Sequence, residues 1–173
     1  MASQVDRGSI LTQGWQNVFD LVKSNSSVAD PLKGSADYRK WIFSREPDVK
    51  KLGFQSFPYI IVHPATVRFS DAQGRQRLDR KRRIVSWMVE VEVVTCDRGY
   101  GDGDGKGNAQ ANQVLDDILE LFNGVTARNT LQANGMLFST PQVTSEVVEP
   151  FMDTLVYRRS VFLNFDSYMA VSA

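Results

Sequence analysis

Apolar residues recur at helical spacing near the start of the chain. Ile10, Leu11, Val18, Phe19 and Val22 share one face, with Trp15 between them, which predicts an amphipathic helix. Ser9 is its expected N-cap, and the run Ser24-Asn25-Ser26-Ser27 its expected end. Gly14 sits inside it at about 1 kcal/mol relative to alanine. Only one stripe is apolar, so the helix is expected to lie on a sheet.

The period then changes. Tyr59-Ile60-Ile61-Val62 reads as a short strand stopped by Pro64, and Thr66-Val67-Arg68-Phe69 as a second, ended by the turn Ser70-Asp71-Ala72-Gln73-Gly74. The strongest strand runs from about Ile84 to Thr95. Trp87, Val89, Val91 and Val93 share one face; Ser86, Met88, Glu90, Glu92 and Val94 share the other. A charged face calls for water or a polar partner, so the sheet is expected to be covered on one side only. That favours an antiparallel or mixed sheet over a doubly wound parallel one.

A second helix is predicted from about Asn108 to Phe122. Ala111, Val114, Leu115, Ile118, Leu121 and Phe122 form its apolar stripe, with Asp116, Asp117 and Glu120 opposite. Asn108 caps it, and Asn123-Gly124 ends it. Adjacent helical positions diverge by about 100°, so Asp116 and Asp117 read as a solvated face, not an acid–base pair.

Strands return in the last third. One begins around Met136 and Phe138, after Asn134-Gly135. Val143, Val147 and Val148 lie in a second stretch, interrupted by Pro141 and Pro150. In a long final strand, Leu155, Tyr157, Val161, Leu163 and Phe165 line one face, with Arg159 on the same alternation. Arg158, Ser160 and Asn164 point the other way, and Ser167 to Ala173 is a weakly patterned tail.

Between the first helix and the strands lies an irregular aromatic arm, about 28–56. Asp30-Pro31 and Lys33-Gly34 mark turns, and Tyr38, Trp41 and Phe43 alternate with polar residues as in a short strand. Pro47, Gly53 and Pro58 break regular structure. Such aromatics either contact another chain or, as with Trp41 and Phe54, fold back over the domain's own core. The order of elements is that of an α+β fold: an antiparallel or mixed sheet with two amphipathic helices packed on it, in a single domain spanning 1–173.

The glycine-rich stretch at about 97–108 is tested against three chemistries. A phosphate-binding loop needs glycine-lysine followed by serine or threonine, but Gly107 follows Gly105-Lys106 and Tyr100 stands where the first glycine belongs. No register of Gly99, Gly101, Gly103, Gly105 and Gly107 gives Gly-x-Gly-x-x-Gly. A calcium loop with Asp102 and Asp104 at positions one and three puts Lys106 at a ligand position and Gln113 at the last one. What remains is a flexible connection between the long strand and the next helix, of a kind able to order on assembly.

Composition narrows the function. The chain has 173 residues, 42% of them hydrophobic, and its 20 basic and 20 acidic residues cancel. This excludes a globally basic nucleic-acid binder. No apolar run approaches the ~18 residues of a membrane span. Met1-Ala2-Ser3-Gln4-Val5-Asp6 predicts no signal peptide. A single cysteine, Cys96, excludes an internal disulfide and reads as a packed thiol in a reducing compartment. The one histidine, His63, has no acidic or cysteine neighbour at ligand spacing and reads as structural. No catalytic set, metal site or cofactor is expected, and an enzyme is disfavoured.

One local concentration of charge stands out. Arg75, Arg77, Arg80, Lys81, Arg82 and Arg83 precede the long strand, with only Asp79 among them. No aromatics are interleaved, so single-strand stacking is unsupported and a solvated hairpin or a protein contact is favoured.

The layout resembles the tail-terminator, or tail-completion, proteins of long-tailed bacteriophages. The residues that carry the resemblance are the opening helix around Val18-Phe19-Asp20-Leu21-Val22, the strand Phe57-Pro58-Tyr59-Ile60-Ile61-Val62, and the long strand Trp87 to Val94 feeding a loop and the helix Val114 to Phe122. The closing strand Leu155-Val156-Tyr157-Arg158-Arg159-Ser160-Val161 completes them. The arm and the glycine loop look like additions. The resemblance implies a virion protein made in the host cytoplasm that forms a hexameric ring on the head-proximal end of the tail tube. It would stop tube growth and give the head connector a docking surface, with the tube protein, the connector and its own copies as partners. It implies no membrane and no sequence-specific nucleic acid. Arg75, Arg77, Arg80, Lys81, Arg82 and Arg83, with Tyr100, Asp102, Asp104 and Lys106 of the loop, are the expected assembly contacts. The alternatives are another virion connector, such as a head-completion or neck protein, a tail-tube subunit, and more remotely a small metal-dependent enzyme using the acidic loop.

Overall fold

Two long strands organise the chain. In a computed structural model that describes residues 10–25, 28, 41–48, 57–68, 77–79, 82–98 and 107–170, β5 (Arg82–Cys96) and β9 (Thr154–Ala170) pair antiparallel from Arg82↔Ala170 to Cys96↔Val156. β5 exceeds its sequence-predicted ends by two residues and one, and β9 begins one residue before Leu155 and runs five beyond Phe165. The supposedly weak tail continues the strand as far as Ala170 because β5 is there to pair with it.

Short strands flank this ribbon. β2 (Tyr59–Val62), β3 (Thr66–Arg68) and β4 (Arg77–Asp79) follow one another along the outer edge of β5. β6 (Leu137–Phe138), β7 (Gln142–Val143) and β8 (Val147–Phe151) do the same along β9. β1 (Ile42–Phe43) pairs with β2 in parallel and makes this nine-stranded sheet mixed. Pro150 has no N–H for a ladder, and it sits on an edge strand, where that is tolerated.

Helices α1 (Ile10–Ser24), α2 (Gly107–Asn123) and α3 (Val125–Ala133) accompany the sheet. Val18 and Val22 of α1 and Val114, Leu115, Ile118 and Phe122 of α2 share one core with the predicted strand face Trp87, Val89, Val91 and Val93, joined by Val161, Leu163 and Phe165. Trp87 anchors it: its ring stacks on Phe165 at 4.5 Å and its indole N–H donates to Ser167 Oγ at 3.0 Å. The Trp15 indole donates to the Val62 carbonyl at 2.8 Å and ties α1 to the edge of β2. Gly14 lies against Trp87 so closely that a Cβ there would run into the ring, which accounts for a glycine inside a helix.

Helix α3 lies beyond the two helices that the sequence pattern predicts. The α2 pattern does end at Asn123-Gly124, but Gly124 is extended (φ −67°, ψ 144°) and serves as the N-cap of a new helix. Only Ala127 and Leu131 of α3 are buried. Two apolar residues four apart, among threonine and asparagine, leave little periodic signal.

The expectation that the sheet is covered on one side only is corrected at one end. Phe57, Tyr59, Ile61, Val94, Cys96 and Val156 form a second, smaller core on the opposite face, with Phe43 and Phe151 against it. Val94 and Cys96 continue the alternation of Glu90 and Glu92, so this face turns from charged to apolar along β5. Cys96 is fully buried, as a packed thiol should be. The Ser9 cap, most of the aromatic arm including Tyr38 and Phe54, the turn 70–74 and residues 99–106 of the glycine loop lie outside the described residues.

Candidate functional site

A charged cluster lies beside the second core, where β2, β5 and β9 run side by side. Arg158 of β9 donates through Nη2 to Glu46 Oε1 (2.9 Å), through Nη1 to Glu92 Oε1 (3.0 Å) and through Nε to Glu149 Oε2 (3.1 Å). His63 Nε2 lies 2.8 Å from Glu92 Oε2. The Tyr59 hydroxyl donates to Glu46 Oε1 at 2.6 Å. One arginine thus serves three carboxylates, and the cluster keeps an excess of negative charge. Sequence spacing could not find it, because its hydrogen-bonded partners stand 9 to 112 positions apart.

Each titration shift has a local cause. The hydrogen bond to Glu92 raises His63 above its ordinary 6.5, against burial, which lowers it. Burial alone would push Glu92 up; the bonds from His63 and Arg158 outweigh it and hold the carboxyl below its ordinary range. Burial also lowers Arg158, and the bonds to Glu46 and Glu92 more than reverse this, so it stays charged. Burial and the Glu46 bond push the Tyr59 phenol well up, so it remains a donor. His63 does have an acidic partner, 29 positions away, which sequence spacing did not show.

The cleft beside this cluster is small. It holds about 90 Å³, lined by Phe57, Tyr59, Phe151 and Val156 with Glu46, Glu149 and Arg158. Pockets that bury a small organic ligand run from about 300 Å³ upward. The geometry suits a charged latch joining residues 41–48 to the sheet. Among the described residues no group of three His, Cys, Asp or Glu is placed to hold a metal ion, and no helix is long and apolar enough to cross a membrane.

The ends of the glycine loop are held together. Gly107 has φ +57°, and its missing Cβ leaves room for the Asp97 carboxylate at the start of α2, where negative charge is favourable. Tyr157 donates to Asp97 Oδ2 at 3.1 Å, and Thr95 Oγ1 to the Gly107 carbonyl at 2.7 Å.

A different surface stands out for its exposure. On the face that carries the helices, Val143 lies opposite Val161, Val148 opposite Tyr157, and Pro150 opposite Leu155. Val161 is fully buried, yet Val143, Val148 and Leu155 are 43–46% exposed. Leu155 shares the predicted alternation but projects past the helices and is no part of the core. Val147 and Met152 of the same hairpin are more exposed still. Met152, at the tip between β8 and β9, has φ +54°, unusual for a side chain other than glycine.

Of the sequence-predicted contact residues, Arg77 lies on β4 and Arg82 and Arg83 at the start of β5, paired as Arg77↔Arg83. Arg75, Arg80, Lys81, Tyr100, Asp102, Asp104 and Lys106 lie outside the described residues. The topology therefore brings three of the basic residues to one end of the sheet. The exposed apolar hairpin was missed, because its valines read as ordinary strand positions.

Comparison with known proteins gives structural likenesses among solved chains. A chain of the solved structure described as "Virion of native gene transfer agent (GTA) particle" is similar, with a TM-score of 0.49 and 10% sequence identity over 89% of this chain and 93% of that one. No protein-family model matches, and no curated protein does. Function therefore rests on this chain's own residues.

Proposed function

We propose that this chain is a structural virion protein that forms a ring at the head-proximal end of a phage tail tube, ends tube growth and offers the head its docking surface. The observation that supports this most is the exposed apolar edge at Val143, Val148 and Leu155, beside the fully buried Val161. Branched aliphatic side chains left in water along an edge strand mark a surface that another protein covers. The neutral net charge of the chain and the small cleft beside Arg158 fit an assembly role better than a chemical one. Closed rings arise from heterologous contacts repeated about an axis.

The reading is tested by adding the purified protein to growing tail tubes and viewing them by electron microscopy. Tubes capped at one end by a single ring, and no longer elongating, are expected. Incorporation along the whole tube would make the chain a tube subunit, and binding only to heads would make it a neck protein.

A further inference from the structure

The long ribbon separates charge. The stretch 141–157 holds Glu146, Glu149 and Asp153 and no lysine or arginine, whereas β4 and the first two residues of β5 hold Arg77, Arg82 and Arg83 against Asp79. Register places these stretches at opposite ends: β8 pairs with β9 near Cys96, and β4 pairs with β5 near Arg82. Fifteen residues of β5 separate them by about 45 Å. At the acidic end Arg98 pairs with Asp153, and Arg158 divides itself among Glu46, Glu92 and Glu149, so carboxylates still outnumber cations. The exposed Val148 and Leu155 stand at that end and Val143 farther along the edge, all on the face opposite Glu92, Glu149 and Arg158. Among the described residues, β7 and β8 have a strand on one side only.

Two surfaces of opposite charge on one neutral chain satisfy each other only between copies. A two-fold contact between like ends would set acid against acid or base against base, and an antiparallel pair that matched unlike ends would close as a dimer; only a head-to-tail contact matches unlike ends and continues around a ring. We propose that copies join head to tail, the acidic, apolar β8–β9 hairpin of one copy receiving the basic β4–β5 end of the next. This rests on the ring reading above and names the surfaces that close the ring. The valines and Leu155 supply apolar burial, and the charges fix direction and register.

Two full-length variants test it. The first, Glu146→Lys with Asp153→Lys, makes the acidic end basic. The second, Arg82→Glu with Arg83→Glu, makes the basic end acidic. Circular dichroism checks that each is folded, and light scattering reads the oligomer. Wild-type protein is expected to form rings, and each variant alone to need at least about tenfold more protein to do so. Mixed in equal amounts, the two should assemble again, because every contact in an alternating ring then joins opposite charges. A third variant, Val143→Asp with Val148→Asp, should stay folded and fail to assemble alone or in the mixture. If wild-type rings form and the variants assemble equally well alone, these surfaces are the wrong ones and the ring reading stands. The same holds if the folded pair fails to assemble on mixing. If wild-type protein forms no ring, alone or on tubes, the ring reading falls and this inference with it.

Discussion

Glu92 and Arg158 meet diagonally across the two central strands, with Arg158 Nη1 3.0 Å from Glu92 Oε1. The register sets Glu92 opposite Ser160 and Arg158 opposite Val94, so the pair stands two positions off the direct rung. Their side chains are 13% and 23% exposed, and Arg158 also holds Glu46 and Glu149. Removing the cation strands three carboxylates near one another. Arg158→Met should therefore destabilise the fold by about 2–3 kcal/mol, toward the low end for a half-buried pair, as measured by urea unfolding. Glu92→Gln, which leaves Arg158 two partners, should cost less.

The same cluster gives stability a pH signature. His63 is raised in the folded state, so its contribution is fully present below 6.5 and is lost as pH rises through its folded value. Glu92 is lowered, so its contribution is present above its ordinary 4.5 and is lost as pH falls through its folded value. As far as this pair is concerned, stability should peak between 4.5 and 6.5. His63→Gln should flatten the decline on the alkaline side and leave the acid side in place. Unfolding midpoints measured across pH in both proteins check this.

Gly14 should not tolerate a side chain. Alanine gains about 1 kcal/mol of helix propensity over glycine, but here its Cβ would overlap the Trp87 ring. That ring is held by its stack on Phe165 and its bond to Ser167, so the helix must move instead. Gly14→Ala should lower stability by about 1–3 kcal/mol, and Gly14→Val by more, read from denaturation midpoints.

Met152 sets stability against assembly. Its φ of +54° is an ordinary conformation for glycine at the first central position of a tight hairpin and a strained one for methionine. Its side chain is 68% exposed beside the proposed interface. Met152→Gly should raise the unfolding free energy by about 0.5–1 kcal/mol and weaken ring formation. Thermal melting and light scattering on one preparation separate the two effects.

The α+β layout was legible because its signals are local and periodic. The alternation Trp87-Val89-Val91-Val93 and the stripe Val114-Leu115-Ile118-Phe122 each name their own buried face. What stayed hidden depends on distant partners. Helix α3 has two buried residues and no cap signal beyond Gly124. The second core becomes visible only when β2 and β5 pair, setting Tyr59 opposite Val94. The charged cluster was half legible: Glu92 announced a need for a polar partner on its face, but Arg158, 66 positions on, could be named only from register. Exposure of Val143 and Leu155 depends on where the helices stop, which no strand pattern encodes.

The most direct measurement is the solution mass of the purified wild-type chain by light scattering over a wide concentration range. The account predicts a discrete closed ring, a hexamer, whose mass stays constant once formed. Mass that keeps growing with concentration would contradict it, because open-ended growth is the behaviour of a tube subunit and not of a protein that ends a tube.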